Sequence, residues 1–242
     1  MTADTRPNHS GSRRLCRRTL LLFLSVLLTL SALLSVGLLP AAAEDAPASA
    51  DVGVVLLLNL ENNLTLYEKE ADTNVYPSSS VKIMMGLLAC RSLYDRLDEE
   101  VTVSAAMVAG VTGRSMHLAD GEKLTVRDLL YAAVCGGYND AAHVVACLSS
   151  GSVAAFVEAM NTEAQRLGTL HTRYTNPTGL HDPAMATSAR DVSIIAREAY
   201  GNKLFMQLSS TRTHTIAATN IADERIFTNR NTRRVVVLCW LR

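Results

Sequence analysis

Strand-like patterning at both ends of a long helical block constrains the fold of this chain more than any other feature. Val52 to Leu60 is a β-prone, aliphatic run, Glu61-Asn62-Asn63 supplies a turn, and Leu64 to Lys69 alternates in polarity. These two runs predict a hairpin. A loop from Ala71 to Ser78 leads into a helix that runs to about Leu97. Further helices are predicted from a cap at Thr125 to Cys135, over Asp140 to Leu148, over Val153 to Leu167, and from a cap at Ser188 to Tyr200. Short strands are expected at Val101 to Val103 and Thr211 to Ala218, with a glycine-rich irregular stretch from Gly110 to Gly121. Hairpin, helices, then strand is the order of an α+β fold. No internal repeat is visible, and Ala41 to Ala50 reads as a short linker.

The N-terminus reads as a targeting segment. Arg13, Arg14, Arg17 and Arg18 precede an almost wholly apolar run, Thr19 to Leu39, and Pro40-Ala41-Ala42-Ala43 offers a small-residue cleavage site. The apolar run is also long enough to span a bilayer, so an uncleaved anchor is the other reading. In either case the rest of the chain is expected to be exported. Cys16 precedes the apolar run, which is the wrong side for a lipoprotein anchor. Residues 1–43 hold five arginines and one aspartate, which leaves 18 basic and 22 acidic residues beyond them, a net charge of about −4. That balance argues against nucleic acid and against a polybasic membrane patch, so any membrane contact is expected through the N-terminal segment alone. About 200 residues remain, enough for one domain with a substantial core.

Cys90, Cys135, Cys147 and Cys239 show no Cys-x-x-Cys spacing, and the first three sit in apolar, helical runs as expected of small core residues. The six histidines are scattered without a His-x-x-x-His pair. Neither a disulfide framework, a metal nor a cofactor is expected.

The candidate chemistry lies in Pro77-Ser78-Ser79-Ser80-Val81-Lys82-Ile83-Met84-Met85. Residues three apart share one face of a helix, so the Ser79 hydroxyl and the Lys82 amine would meet in one pocket. A serine hydroxyl needs a base to take its proton, and a desolvated lysine can be that base. Only Ser79 has a lysine at +3; Ser78 and Ser80 have Val81 and Ile83 there. A helix start with a serine cap and a surface lysine is the plainer reading of the same spacing.

This segment resembles the D-alanyl-D-alanine carboxypeptidases, the low-molecular-mass penicillin-binding proteins, which typically read Pro-Ala-Ser-x-Thr-Lys-Ile-Met there. The resemblance runs from about Val52 to Asn231. It implies an antiparallel sheet completed by the first hairpin and the last strands, flanked by a helical region, with the active site where the two join. The family's second element, Ser-x-Asn, follows a Leu-Leu pair. Here Leu129-Leu130 leads to Gly137-Tyr138-Asn139, which places Asn139 at the motif asparagine and Gly137 where the serine stands. The resemblance assigns Asn139 to holding the lysine and the substrate peptide, and assigns the missing serine to relaying a proton to the leaving amine. A simple interhelical turn is the other reading of Gly136 to Asn139.

Gly113 to Leu118, Gly121 to Asp128, Phe156 to Asn161 and Ser188 to Asp191 match other family segments and are read as structural. Asn176-Pro177-Thr178-Gly179-Leu180 resembles an Asn-Pro-x-Gly-Leu loop; Asn176 is read as forming the turn, and lining the cleft is its other reading. His181 beside Asp182 is discounted as a hydrolase dyad, because adjacent residues rarely face one site and no nucleophile elbow is present. The third family element, Lys-Thr-Gly, is absent from the 242 residues, whose last lysine is Lys203. Residues 232–242 match nothing in the family. The expected division is therefore a targeting segment 1–43, an incomplete catalytic domain 44–231 without its late strands, and an unmatched tail 232–242. A truncation, for example by a frameshift, and a divergent terminus are the two readings of that tail.

By resemblance, Ser79, Lys82 and Asn139 would cleave peptidoglycan stem peptides ending in D-Ala-D-Ala through an acyl-enzyme, with β-lactams as covalent inhibitors and no cofactor. The missing Lys-Thr-Gly implies impaired folding and little activity. Two alternatives remain open. A serine β-lactamase shares the Ser-x-x-Lys pair but needs a carboxylate to activate water, and none is evident after Gly168. A non-catalytic remnant that binds muropeptide or penicillin would accommodate Gly137 and the absent third element.

Overall fold

The computed structural model describes residues 53–60 and 62–229, which belong to one unit, Ser49–Arg242. Residues 1–43, expected as a targeting segment and including Cys16, and residues 232–242 with Cys239 lie outside the described residues.

The chain folds as β1 (Val55–Asn59), β2 (Leu64–Lys69), a 3-10 turn (Ser78–Ser80), α1 (Val81–Ser92), a second 3-10 turn (Tyr94–Arg96), β3 (Glu100–Thr102), α2 (Ala105–Val108), β4 (Lys123–Thr125), α3 (Val126–Val134), α4 (Asn139–Ser150), α5 (Val153–Arg166), α6 (Ala189–Tyr200), α7 (Lys203–Ser210), β5 (Thr213–Ile216) and β6 (Arg225–Thr228). The α+β class holds. α2, β4, α7 and β6 are additions to the elements expected from patterning.

α1 is the hub. Its only charged residues are Lys82 and Arg91, near its two ends, so no polar face turns it toward water. It packs against α3, α4, α5, α6 and α7. Val81, Met84, Met85 and Cys90 join Leu129 and Leu130 of α3, Val144 and Val145 of α4, Phe156 and Met160 of α5, and Ile195 of α6 in one core. Fully burying each such large side chain stabilises the fold by roughly 1.5–3 kcal/mol. Burial also pushes the Cys90 thiol up to about 12, which makes it an inert packing group.

α1 stops at Ser92, five residues before the expected end near Leu97. The cause lies in the chain beyond. The Leu97 carbonyl accepts from Arg127 N at 2.9 Å and the Glu99 carbonyl from Val126 N at 3.0 Å, which draws this segment toward the β3–β4 pair. Caps at two other helices fall where expected. Thr125 Oγ1 accepts from Asp128 N at 3.1 Å and donates to Asp128 Oδ2 at 2.7 Å, and Ser188 Oγ accepts from Asp191 N at 3.1 Å. Such a cap contributes about 1 kcal/mol.

Three antiparallel two-stranded sheets form: β1–β2, β3–β4 and β5–β6. β5 and β6 pair with each other, so among the described residues the first hairpin receives no later strand. Every residue of β2 is exposed, and Leu64 and Leu66 are each more than half so. Among the described residues no single helix is long and apolar enough to cross a membrane.

Candidate active site

The approach to Ser79 is clamped on both sides. Val75 N donates to Thr187 O at 2.8 Å and Thr187 N to Val75 O at 2.9 Å, which fixes the loop just before Pro77. Ser78–Ser80 then forms the 3-10 turn that leads directly into α1. Ser79 stands exposed on this turn, while Lys82 follows on the first turn of α1, half-buried.

Lys82 Nζ donates to Asn139 Oδ1 at 2.8 Å and to the Thr178 carbonyl at 2.6 Å. The structure thus brings Lys82 and Asn139 together across 57 residues of sequence. Burial, with a further contribution from the positive charge of Arg114, lowers the Lys82 amine to about 8 from an ordinary 10.5. A neutral amine has two N–H donors and one lone pair. Both donors have acceptors here, so the lone pair is what remains to take a proton.

Asn139 is buried at the first position of α4. Its Nδ2 donates to the Thr112 carbonyl at 2.8 Å and its backbone N–H to the Arg114 carbonyl at 2.7 Å. The next residue, Asp140, is buried and grips the same loop. Its carboxylate accepts from Ser115 Oγ at 2.6 Å, from Met116 N at 3.1 Å and from Leu118 N at 3.0 Å.

Asn176 is a turn-former, as its Asn-Pro setting implied. Its Oδ1 accepts from Thr178 N, Thr178 Oγ1 and Gly179 N at 2.9–3.1 Å, and its Nδ2 donates to Leu180 O at 3.0 Å. This closed turn holds the Thr178 carbonyl on Lys82. It also seats Gly179 against the serine turn: a Cβ on Gly179 would lie 1.9 Å from Ser78 O and 3.1 Å from Ser79 N. One loop therefore touches both the lysine and the serine turn. His181 packs edge-on against Tyr76, with ring centroids 4.5 Å apart, and Asp182 Oδ1 accepts from Ala184 N, so these two neighbours serve different contacts.

Gly137 has φ +70°, and a Cβ there would meet nothing within 4 Å. It ends the α3 turn, where Tyr138 N returns to the Ala132 carbonyl at 3.1 Å. Gly136 and Gly137 thus form an interhelical turn, and Asn139 opens the helix that follows it. A serine at this position has room but must adopt a left-handed backbone. Gly137→Ser is expected to lower stability by about 1 kcal/mol through that strain alone, read as a shift in the denaturant midpoint without a change in slope.

Thr178, Asp140 and Arg114 were not singled out from the sequence. Asp140 was within reach, because a carboxylate beside Asn139 in an otherwise apolar helix start requires donors. The Thr178 contribution is a backbone carbonyl, which no side-chain pattern marks. Among the described residues no group of three or more His, Cys, Asp or Glu side chains could hold a metal.

This arrangement sits in a known structural class. The fold is that of the DD-peptidases and penicillin-binding proteins: it superposes on a D-alanyl-D-alanine carboxypeptidase of Mycobacterium tuberculosis H37Rv with TM-score 0.71 at 25% identity, covering 79% of this chain and 70% of that one. The chain belongs to the D-alanyl-D-alanine carboxypeptidase family, whose sequence model matches residues 41–236. It is 34% identical over 204 residues to a D-alanyl-D-alanine carboxypeptidase of Streptomyces sp. (strain K15), covering 79% of this chain and 69% of the relative. A Bacillus subtilis (strain 168) carboxypeptidase is 33% identical over 146 residues, which are 59% of this chain and 37% of the relative. The chain thus spans little more than a third of one curated relative and about two thirds of the other.

Proposed function

We propose that this protein is a serine-type D-Ala-D-Ala carboxypeptidase that removes the terminal D-alanine from peptidoglycan stem peptides. The observation that carries this reading is the Lys82 amine, lowered to about 8 and held by two acceptors beside the serine turn. Ser79 Oγ bonds to the carbonyl carbon joining the two D-alanines, and its proton passes to the Lys82 lone pair. The C–N bond breaks, the departing D-alanine amine takes that proton, and water then hydrolyses the ester. Asn139 holds the lysine. The Ser79 backbone N–H supplies one oxyanion donor.

Residues 44–231 form the catalytic domain in this reading, exported by the N-terminal segment to act outside the cytoplasm. β-Lactams acylate the same serine. The 242 residues contain no Lys-Thr-Gly. In the resembling family the strand that bears Lys-Thr-Gly lends the second oxyanion N–H, and loss of one such donor slows the reaction by roughly 10²–10³.

The test is intact-mass analysis after incubation with benzylpenicillin over hours. A long-lived adduct mapped to Ser79, and lost in Ser79→Ala, is expected. Rapid release of hydrolysed penicillin would instead identify a β-lactamase. No adduct, with stem-peptide binding unchanged in Ser79→Ala, would leave a binding protein.

A further inference from the structure

Arg114 is an exposed, charged residue next to Asn139 that the proposed chemistry does not use. Its backbone is fixed at the site. Its carbonyl accepts from Asn139 N at 2.7 Å, and a Cβ on the preceding Gly113 would lie 2.9 Å from Asn139 Nδ2 and 3.4 Å from Leu180. Its guanidinium is fixed as well. Nε donates to the Gly136 carbonyl at 2.7 Å, and the group lies over the Tyr138 ring, 4.5 Å from its centroid.

Two anchors on an exposed arginine are more than a surface position requires. The bond to Gly136 alone would read as a helix-end contact, because Gly136 follows α3. That contact uses one of five N–H donors, and among the described residues no carboxylate pairs with the guanidinium. Arg114 is exposed, its carbonyl holds the Asn139 N–H, and its charge is felt at the Lys82 amine. A pre-oriented guanidinium with free terminal nitrogens suits two parallel bonds to a carboxylate.

We infer that Arg114 is a specificity residue that takes a carboxylate group of the peptide bound at Ser79. This rests on the peptidase reading of that site. The carboxylate has two possible sources, the C-terminal group of the peptide and an acidic side chain further up the stem. Both present the same chemistry to Arg114.

Binding of short peptides at pH 9, where most of the Lys82 amine is neutral, isolates the arginine. The ligands are N-acetyl-D-Ala-D-Ala, its C-terminal amide, and a tripeptide amide whose only carboxylate is on its first side chain. Affinities are read by NMR titration of the full chain and of Arg114→Gln and Arg114→Lys. The parent is expected to prefer one acidic ligand over the neutral amide by about tenfold, in a salt-sensitive way. Arg114→Gln removes that preference and leaves the neutral amide's affinity unchanged, while Arg114→Lys keeps part of it. Whichever acidic ligand shows the effect identifies the source. An unchanged preference in Arg114→Gln, or no preference in the parent, overturns the inference. Benzylpenicillin adduct formation is followed on the same samples. An adduct that persists while carboxylate preference is absent defeats only the arginine's role, whereas a missing adduct in the parent defeats the peptidase reading itself.

Discussion

Acylation by benzylpenicillin is expected to rise about tenfold per pH unit below pH 8 and to level off above it. The sign follows from the lysine. Its protonated form has no lone pair for the serine proton, and burial with the nearby Arg114 charge brings its titration down to about 8. At pH 7 about a tenth of the molecules carry the neutral amine, and near pH 9 most do. Lys82→Met removes the base and is expected to slow acylation by roughly 10²–10⁴ and to abolish the rise. A profile flat from pH 6 to 9 in the parent would remove Lys82 from the role of base. The same lowered titration makes stability rise with pH between about 8 and the ordinary lysine value of 10.5, because the unfolded chain binds the extra proton across that window.

Gly179→Ala is expected to disable the site without touching any group that takes part in the chemistry. The added Cβ would sit 1.9 Å from Ser78 O and 2.5 Å from Ser78 C, backbone atoms that cannot swing aside as a side chain would. Either the serine turn or the Asn176–Leu180 turn must move. In the first case Ser79 is displaced, and in the second the Thr178 carbonyl leaves Lys82. A misplacement near 1 Å costs about 10² in rate, so acylation should fall at least that far. Gly168→Ala is the control. Gly168 shares φ +80°, but a Cβ there meets nothing within 4 Å. It should cost only the left-handed strain, about 1–2 kcal/mol, with acylation intact. Equal acylation losses in the two variants would mean that the close approach of the loops is not what matters.

Much of this architecture is written in local signals. The β1–β2 hairpin is legible because a turn triplet separates two β-prone runs. α3 and α6 are legible because Thr125 and Ser188 are good caps ahead of apolar runs. β4 and β6 are not, because strands of three and four residues exist only through their partners β3 and β5. α7 is not legible, because it is short and its start depends on the Asn202 side chain accepting from Phe205 N. The site divides in the same way. Ser79 and Lys82 are three residues apart, and Asn139 is marked by its flanks. The Thr178 carbonyl reaches Lys82 through the folding of a distant loop, which no spacing within the chain expresses.

Asn139 and Asp140 are neighbours that face opposite tasks: one amide holds the lysine, and one carboxylate gathers the 115–118 loop. Consecutive helical residues point about 100° apart. Inserting one residue between α3 and Asn139 would carry the amide to the place the carboxylate holds, and deleting one would carry the carboxylate to the lysine. The segment Gly136 to Tyr138 is therefore fixed in length, and at Gly136 in composition too, because a Cβ there would lie 2.8 Å from the Ala132 carbonyl oxygen. A turn of three residues thus sets which of two adjacent side chains meets the lysine.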